Sequence, residues 1–407
     1  MTSPEQRAGT AADAVDGIVP RFVVEPDSAE AVADTLAWAS RDTLSVLTRG
    51  AGTKLGWGPA PRAIDVLLST RRLNKVVAHR HGDLTATVQA GASLADVNEE
   101  LARHRQWIPL DPPWADRATI GGLVATNDSG PRRHRYGAPR DLIIGAEFAR
   151  ADGTLAKGGG IVVKNVAGYD LPRLMTGSFG SLAVIVTATF KLFPLTTAST
   201  TLAIDLQGPR DVGAVVSHLL ASHLTPTAVE FDSAPLRVLV RFESIEDAVT
   251  QQAGTTSTMI RELGFTARAF SGTEEAQLWA AHGRSVWNGP GAIVKVTVLP
   301  TELPRMLTLL NAIAGPAGYA AAGRAGLGVF LARITGDGDA QHRAIAELRE
   351  AIPGGRGGAV LLRGSADIKA RTDVWGPIGD GLTLMRAVKK QFDPAGILNP
   401  GRGPGGI

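Results

Sequence analysis

The spacing of apolar positions along the chain changes character twice, and the changes divide it into three zones. In the first zone, up to about Pro194, short β-rich runs alternate with stretches of helical period, and glycines separate them. Residues 64–68, 86–90, 143–150 and 182–193 read as strands. Two helices stand out. Asp27, Ser28 and Glu30 open one that runs to about Arg41, with Asp27 or Ser28 as its cap. Ser93 opens another through Arg103, with Leu94, Val97 and Leu101 on one face. Phe193-Pro194 closes the zone, because proline has no N–H to give to a strand ladder.

The second zone, residues 200–363, carries one pattern twice. The first round is strand 202–206, helix 211–223, strand 228–231, strand 236–242, helix 245–263 and strand 265–270. The second is 292–299, 303–314, 318–322, 326–334, 341–351 and 358–362. Each round has the order β-α-β-β-α-β, the split βαβ arrangement of a ferredoxin-like unit. Residues 273–282 read as a helix linking the halves. Two such units side by side make one continuous antiparallel sheet with helices on one face, leaving the other face free to cover something. The third zone is the tail. Residues 375–391 read as a helix that stops at Phe392-Asp-Pro-Ala-Gly-Ile-Leu-Asn-Pro-Gly401, where two prolines and two glycines forbid its continuation. Residues 403–407 are expected to fray. The expected division is a flexible tail over 1–20, a first domain over 21–195, a second over 196–375, and a segment over 376–407 that returns to the first.

Composition narrows the chemistry. The 407 residues suit two or three folded units. Aromatics are only 5%, so the cores are built mainly from Ala, Val, Leu and Ile. Cysteine is absent, which removes disulfides, thiolate nucleophiles, cysteine-bound iron–sulfur clusters and zinc–thiolate sites. A net charge of +3 is too mild to argue for nucleic acid. No run approaches the ~18 apolar residues of a membrane span, and residues 1–17 lack the pattern of a signal peptide. A cytoplasmic location is the expectation.

Three glycine-rich segments are the candidate chemistry. In Leu47-Thr-Arg-Gly-Ala-Gly-Thr-Lys-Leu-Gly56, Gly50 and Gly52 allow positive φ and exposed N–H groups, a nest suited to a phosphate. An ordinary glycine turn has the same residues. The spacing is not that of a Walker loop, and no helix follows as a dinucleotide fingerprint requires. The second segment is Leu110-Asp-Pro-Pro-Trp114 followed by Ala118-Thr-Ile-Gly-Gly-Leu-Val-Ala-Thr-Asn-Asp-Ser-Gly130. Thr119 is placed to cap the next turn. Gly121 and Gly122 permit close approach to a diphosphate, and Asn127 and Ser129 add donors. The third, 158–170, offers Lys164, Asn165, Tyr169 and Asp170. Two glycine loops in one domain are more specific than either alone.

These residues carry a resemblance. Thr48-Arg-Gly-Ala-Gly-Thr53, Thr119-Ile-Gly-Gly122, Ala125-Thr-Asn127, Val163-Lys-Asn-Val-Ala-Gly-Tyr-Asp-Leu171, Gly177-Ser-Phe-Gly-Ser-Leu-Ala-Val-Ile185 and the Asn-Pro-Gly ending occur in order. Together they resemble the FAD-binding domain of the vanillyl-alcohol oxidase flavoprotein superfamily, and most of all the FAD-binding E-subunit family of bacterial glycolate oxidase. The resemblance implies an α+β chain: a PCMH-type FAD-binding domain plus a cap of two ferredoxin-like units. It implies that the loop Arg49, Gly50, Ala51, Gly52, Thr53, Lys54 and the loop Thr119, Ile120, Gly121, Gly122 hold the pyrophosphate of FAD. Asp111, Pro112, Pro113, Ala125 and Asn127 line the same groove, and Val184 or Ile185 packs on the cofactor. It also implies a 2-hydroxy-acid substrate, a catalytic flavoprotein paralogue, an iron–sulfur partner subunit, and a peripheral association with the inner face of the membrane through such partners.

The sequence departs from the family at two points. Relatives that tether flavin on the first loop place histidine after the second glycine, where this chain has Thr53. FAD is therefore expected without a covalent tether, or tethered through another histidine. Oxidation of a hydroxy acid also needs a base for the hydroxyl proton and a cation for the carboxylate. Arg284, Lys295, Arg324 and Arg333 are the cap cations, and its histidines are scattered. His282 and Arg284, flanking Gly283, are the best pair, with a surface role equally open. No metal site is expected. His79-Arg-His81 reads as a solvated turn, and Pro131-Arg-Arg-His-Arg-Tyr136 as a positive loop near the diphosphate or a solvated surface. The readings that remain open are an FAD subunit of a hydroxy-acid dehydrogenase complex, a self-sufficient FAD oxidase or dehydrogenase of another alcohol, and a non-catalytic FAD-bearing scaffold.

Overall fold

The computed structural model describes residues 4–162, 168–314 and 318–407. The chain forms two compact units. Unit 1 holds the residues up to Gly130 with Gly137–Leu195 and Ile378–Ile407, and unit 2 holds Pro131–Tyr136 with Thr196–Pro377. Residues 131–136 therefore fold with the second unit, a boundary that no composition shift announces.

Unit 1 contains a small, largely parallel sheet and a five-stranded antiparallel one. In the first, Val66–Ser69 lies between Phe22–Val24 and Val46–Arg49 and is parallel to both. The helix Ala29–Arg41 starts where the Ser28 hydroxyl accepts the Ala31 N–H at 3.1 Å. Val32, Leu36 and Ala39, one helical turn apart, are buried against the sheet. The second sheet has the order Val76–Arg80, Thr85–Gln89, Val184–Lys191, Ile143–Ala149, Leu155–Gly159. Val184 and Val186 pack into the core of the parallel sheet, and Ile185, Ala188 and Phe190 into that of the antiparallel sheet, so this strand joins the two.

Both chain ends differ from expectation. From Arg7 on, the expected tail is tied down: Arg7–Ala8 pairs with Phe22–Val24, and buried Asp13 accepts from Arg7 at 2.7 Å and from Arg49 at 3.0 Å. Its carboxyl is held well below the usual range, first by the Arg7 hydrogen bond. The last residues are also ordered, with the Gly403 N–H donating to the Ile407 carbonyl at 2.7 Å. The tail helix is Gly381–Phe392, starting later than expected because Gly376 and Gly379 take positive φ around Pro377. Phe193–Pro194 closes its zone while pairing with Gln106–Trp107.

In unit 2 the doubled pattern appears as one eight-stranded sheet. Its order is Ala267–Phe270, Ala198–Asp205, Leu236–Ser244, Ala228–Ser233, Tyr319–Arg324, Val329–Ile334, Ala292–Thr297, Gly358–Arg363. Every pairing is antiparallel. Val229, Phe231, Val238, Val240, Val294 and Phe330 face the helices that form the main core. The alternate positions face the other way. That second face is not free, as the pattern suggested. The linking helix Gly272–Ser285 lies on part of it, with Leu278 and Trp279 against Ala203, Leu239 and Phe270.

The returning tail is fixed by an ion pair between half-buried Lys389 and buried Asp393. Lys389 Nζ donates to Asp393 Oδ2 at 2.6 Å and to the carbonyls of Ser181 and Leu398, each at 2.8 Å. Asp393 accepts in turn from the N–H groups of Ile397 and Leu398. Leu398 then bridges in parallel to Val46 and extends the small sheet. Asp393→Ala removes the lysine's counter-charge and leaves the buried N–H groups of Ile397 and Leu398 without their acceptor, at roughly 1–3 kcal/mol. The expected result is a lower urea midpoint for unit 1 and faster amide exchange at Ile397 and Leu398; unchanged exchange there would refute this role.

Candidate functional site

The two glycine loops meet. The loop after Val46–Arg49 and the start of the helix Ile120–Thr126 face each other across one cavity in unit 1. Their approach depends on missing side chains. A Cβ on Gly50 would stand 2.1 Å from Thr119 Oγ1, and one on Gly121 would stand 2.8 Å from Ala90 Cβ. Gly52 takes φ +80°, which glycine alone adopts without cost.

Of the residues expected at the cofactor, Gly50, Ala51, Gly52, Thr53 and Lys54 line this cavity. So do Thr119, Gly121, Gly122, Ala125, Val184 and Ile185. Arg49, Ile120, Asp111, Pro112, Pro113 and Asn127 do not. The Arg49 guanidinium turns away to Asp13. Asn127 sits in the left-handed region at the helix end, and its Oδ1 accepts the Arg140 N–H. Thr119 occupies the N-cap position without a side-chain cap bond, since its hydroxyl fills the space beside Gly50. The amides of Ile120 and Gly121 are already bonded to the carbonyls of Ala92 and Ala90. The glycines thus supply room more than donors. Lys164 and Asn165 of the third segment lie outside the described residues.

The tail supplies residues that sequence reasoning did not assign. Asn399 and Arg402 both line the cavity. Arg402 Nη2 donates to the carbonyls of Leu55 and Trp57, both at 2.6 Å, and so clamps the far side of the first loop. Asn399 Nδ2 donates to the Phe179 carbonyl, and its N–H to that of Val46. The available signal was the Asn-Pro-Gly-Arg ending itself. Leu47, Leu55, Trp57, Ala90 and Ala183 complete an apolar wall.

Three features fit this cavity to a large, anionic, partly apolar ligand such as FAD. Thr48 Oγ1 and Asn399 Oδ1 are buried on its lining with no hydrogen-bond partner. Buried polar atoms are nearly always satisfied, so these two await a ligand edge. The glycine seam is a cradle that a Cβ would fill. Lys54 brings a buried cation: its side chain is 5% exposed and pairs with Asp128 at 3.3 Å, beside the Trp57 ring.

The catalytic pair expected in unit 2 is not assembled. His282 is buried on the linking helix, and Arg284, two residues on, is exposed. A two-residue step turns about 200° around a helix, so the side chains diverge. His282 Nδ1 lies 2.8 Å from Asp232 Oδ1 and Nε2 lies 3.1 Å from Glu230 Oε2. Both nitrogens face carboxylates, so both carry protons. Burial alone would lower the pKa, but Asp232 and then Glu230 outweigh it and raise it to about 9. An imidazolium held on both sides is no general base at neutral pH. The basic run is likewise spent inside unit 2. Arg132 makes a two-pronged pair with buried Glu243 at 3.0 and 2.7 Å. His134 is half-buried beside Gly326, where desolvation lowers its pKa. His79 and His81 cluster with His104, whose ring stacks on His81 at 4.5 Å. Among the described residues no group of three His, Cys, Asp or Glu could hold a metal.

Residues 20–159 match the family model described as an FAD binding domain, and residues 377–402 match that of the C-terminal domain of FAD linked oxidases. The chain is 28% identical to glycolate oxidase subunit GlcD of Bacillus subtilis, over 94% of this chain and 89% of that protein. It is 28% identical to a D-lactate dehydrogenase of Archaeoglobus fulgidus, over 93% and 90%. It is 27% identical to glycolate oxidase subunit GlcE of Escherichia coli, over 93% and 98%. Among solved structures, p-cresol methylhydroxylase with substrate bound superposes with a TM-score of 0.72 at 16% identity, covering 95% of this chain and 89% of that one. That likeness concerns the fold alone.

Two outcomes follow from the geometry. Gly50→Ala is expected to strip FAD from the purified chain, read as the ratio of flavin to protein absorbance, and Thr119→Gly in the same chain should restore part of it. Full flavin content in Gly50→Ala would refute the seam. The His282 triad adds a pH dependence. Because its folded pKa lies above the ordinary value near 6.5, the stabilisation is complete below about 6.5 and is lost as pH rises through about 9. The urea midpoint of unit 2 should fall over that window and fall less in His282→Gln; parallel curves would contradict the assignment.

Proposed function

We propose, because the chain belongs to the FAD-linked oxidase family, that it is the FAD-bearing subunit of a glycolate-oxidase-like 2-hydroxy-acid dehydrogenase. The chain is an FAD-linked oxidoreductase. The FAD-bearing part of this reading rests chiefly on one observation: two glycine loops and the returning tail converge on a cavity with unpartnered buried polar atoms. The likeness over nearly the whole chain to proteins named for glycolate and D-lactate supports a 2-hydroxy acid as substrate. With no cysteine in the chain, an iron–sulfur path for the electrons belongs to a partner subunit.

FAD, when bound, supplies the acceptor for the hydride of the carbinol carbon. The chain's own residues would hold it. The loops 50–54 and 119–122 would border the pyrophosphate, with Lys54 the nearby cation. Thr48 and Asn399 would meet polar edges, and Val184, Ile185 and Trp57 would keep water from the apolar part. Arg49 stands outside this cavity, its guanidinium held by Asp13 and its carbonyl by the Thr70 N–H. Thr53 offers no nucleophile comparable to histidine, so the flavin stays free of the protein covalently.

A second reading is a subunit that carries FAD without turning over substrate beside a catalytic paralogue. It is favoured by the locked imidazolium of His282, which removes the best base that the sequence offered.

One experiment separates them. The flavin-loaded chain is mixed anaerobically with glycolate or D-lactate. The proposed function expects loss of the oxidised flavin absorbance, and acid precipitation that leaves all flavin in the supernatant. No reduction by either acid, alone or with co-expressed partner subunits, would sink the catalytic reading.

A further inference from the structure

The outer face of the unit-2 sheet balances its buried charges in most places. Asp232 answers Arg237 at 2.8 Å, Glu243 and Glu275 answer Arg241, and Glu230 and Asp232 answer His282. One place is different. Arg333 and Arg363 both stand opposite Ile293, one on either side of its strand. Cross-strand partners share a face, and Ile293 belongs to the outer face with Leu331 and Ala322. Arg363 reaches this face through a register shift. Val294 pairs with Leu361 and Ile293 with Arg363, so Leu362 is the extra residue of a bulge. Without it, Arg363 would share the inner side of Leu361. Bulges of this kind re-aim a side chain.

The two guanidiniums are held in place by backbone. Arg363 donates to the carbonyls of Trp287 and Gly289, both at 2.7 Å, and Arg333 Nη1 to that of Pro290 at 3.3 Å. All three carbonyls belong to the turn that follows the linking helix. Carbonyls orient the forks but carry no full charge. Neither arginine makes an ion pair with a described residue, and residues 1–3, 163–167 and 315–317 include no Asp or Glu. Burial and then the neighbouring Arg333 lower the pKa of Arg363, as two adjacent cations without an anion must. Arg333 Nε is buried and has no partner. A guanidinium has five donors suited to the planar fork of an oxyanion, and several of these remain unused here.

We propose that Arg333 and Arg363 form an oxyanion-binding site on the outer face of the unit-2 sheet, and that its ligand is a small carboxylate. The choice of carboxylate rests on the hydroxy-acid reading above; the anion site itself rests on the unmatched arginines.

The test is calorimetric titration of the full flavin-loaded chain with oxalate, and separately with inorganic phosphate. Arg333→Gln, Arg363→Gln and the charge-keeping Arg333→Lys are compared, with melting temperature as the check on folding. The expected result is one oxalate per chain, weakened about tenfold or more in either glutamine variant, as loss of a charge-assisted bond implies, and largely kept in Arg333→Lys. Should Arg363→Gln fail to fold, Arg333→Gln, which gives up one backbone contact, decides the matter. No saturable oxalate binding, or equal affinity in the glutamine variants, overturns the site. Tight phosphate binding that excludes oxalate overturns the carboxylate. Oxalate binding here without reduction of flavin by any hydroxy acid would remove the functional reading and leave the site standing. Turnover without an oxalate site would do the reverse.

Discussion

At Gly91 a Cβ would stand 1.9 Å from the Thr70 carbonyl oxygen, and at Gly50 2.1 Å from the Thr119 hydroxyl. No rotamer relieves the backbone clash at Gly91, so the two sheets of unit 1 come this close there only with hydrogen in place of a side chain, while at Gly50 the Thr119 side chain would have to move. The stitching is continuous: Thr70 donates to the Arg49 carbonyl, Gly91 to that of Leu73, and Gly121 to that of Ala90. The cavity is the space this seam leaves on its ligand side. Its walls are therefore mostly backbone and small side chains, which suits a long cofactor with a diphosphate in its middle.

The seam needs an outer brace, and the tail provides it. Lys389 and Asp393 form a part-buried pair whose spare donors and acceptors are taken up by the backbone of Ser181, Ile397 and Leu398. The fixed turn then delivers Asn399 beside Phe179 and Arg402 beneath the first loop. A charge pair is costly to bury, and this one is stable because all its remaining hydrogen bonds are met. Cofactor cavity and chain terminus thus form one mechanical unit, although about 350 residues separate them in sequence.

Unit 2 follows another logic. One face of its sheet is an aliphatic core, and the other is polar and held by ion pairs. The linking helix lies on the polar face because His282 carries the charge that Glu230 and Asp232 require, while Leu278 supplies apolar contact. Such a face is specific rather than adhesive: Arg237, Arg241 and His282 are each positioned by carboxylates. Arg333 and Arg363 are conspicuous there because their partners are neutral carbonyls.

The sequence by itself determined a good deal. The strand and helix order of unit 2, with both ferredoxin-like rounds, was legible because each element carries its own periodicity. The caps at Ser28 and Ser93 were legible because capping is local. The two glycine loops could be paired because their residue types are restricted by backbone geometry. Tertiary structure decided what depends on distant partners. It turned Arg49 away to Asp13, engaged the Gly121 amide with Ala90, and folded residues 131–136 into unit 2. It converted His282 from a candidate base into a locked cation, because the two carboxylates that hold it lie 50 and 52 residues away. It brought Asn399 and Arg402 to the cavity, and through a one-residue bulge it turned Arg363 to the face where Arg333 stands. Periodicity and capping are encoded within a few residues, whereas charge pairing and close approach arise only when separate elements meet.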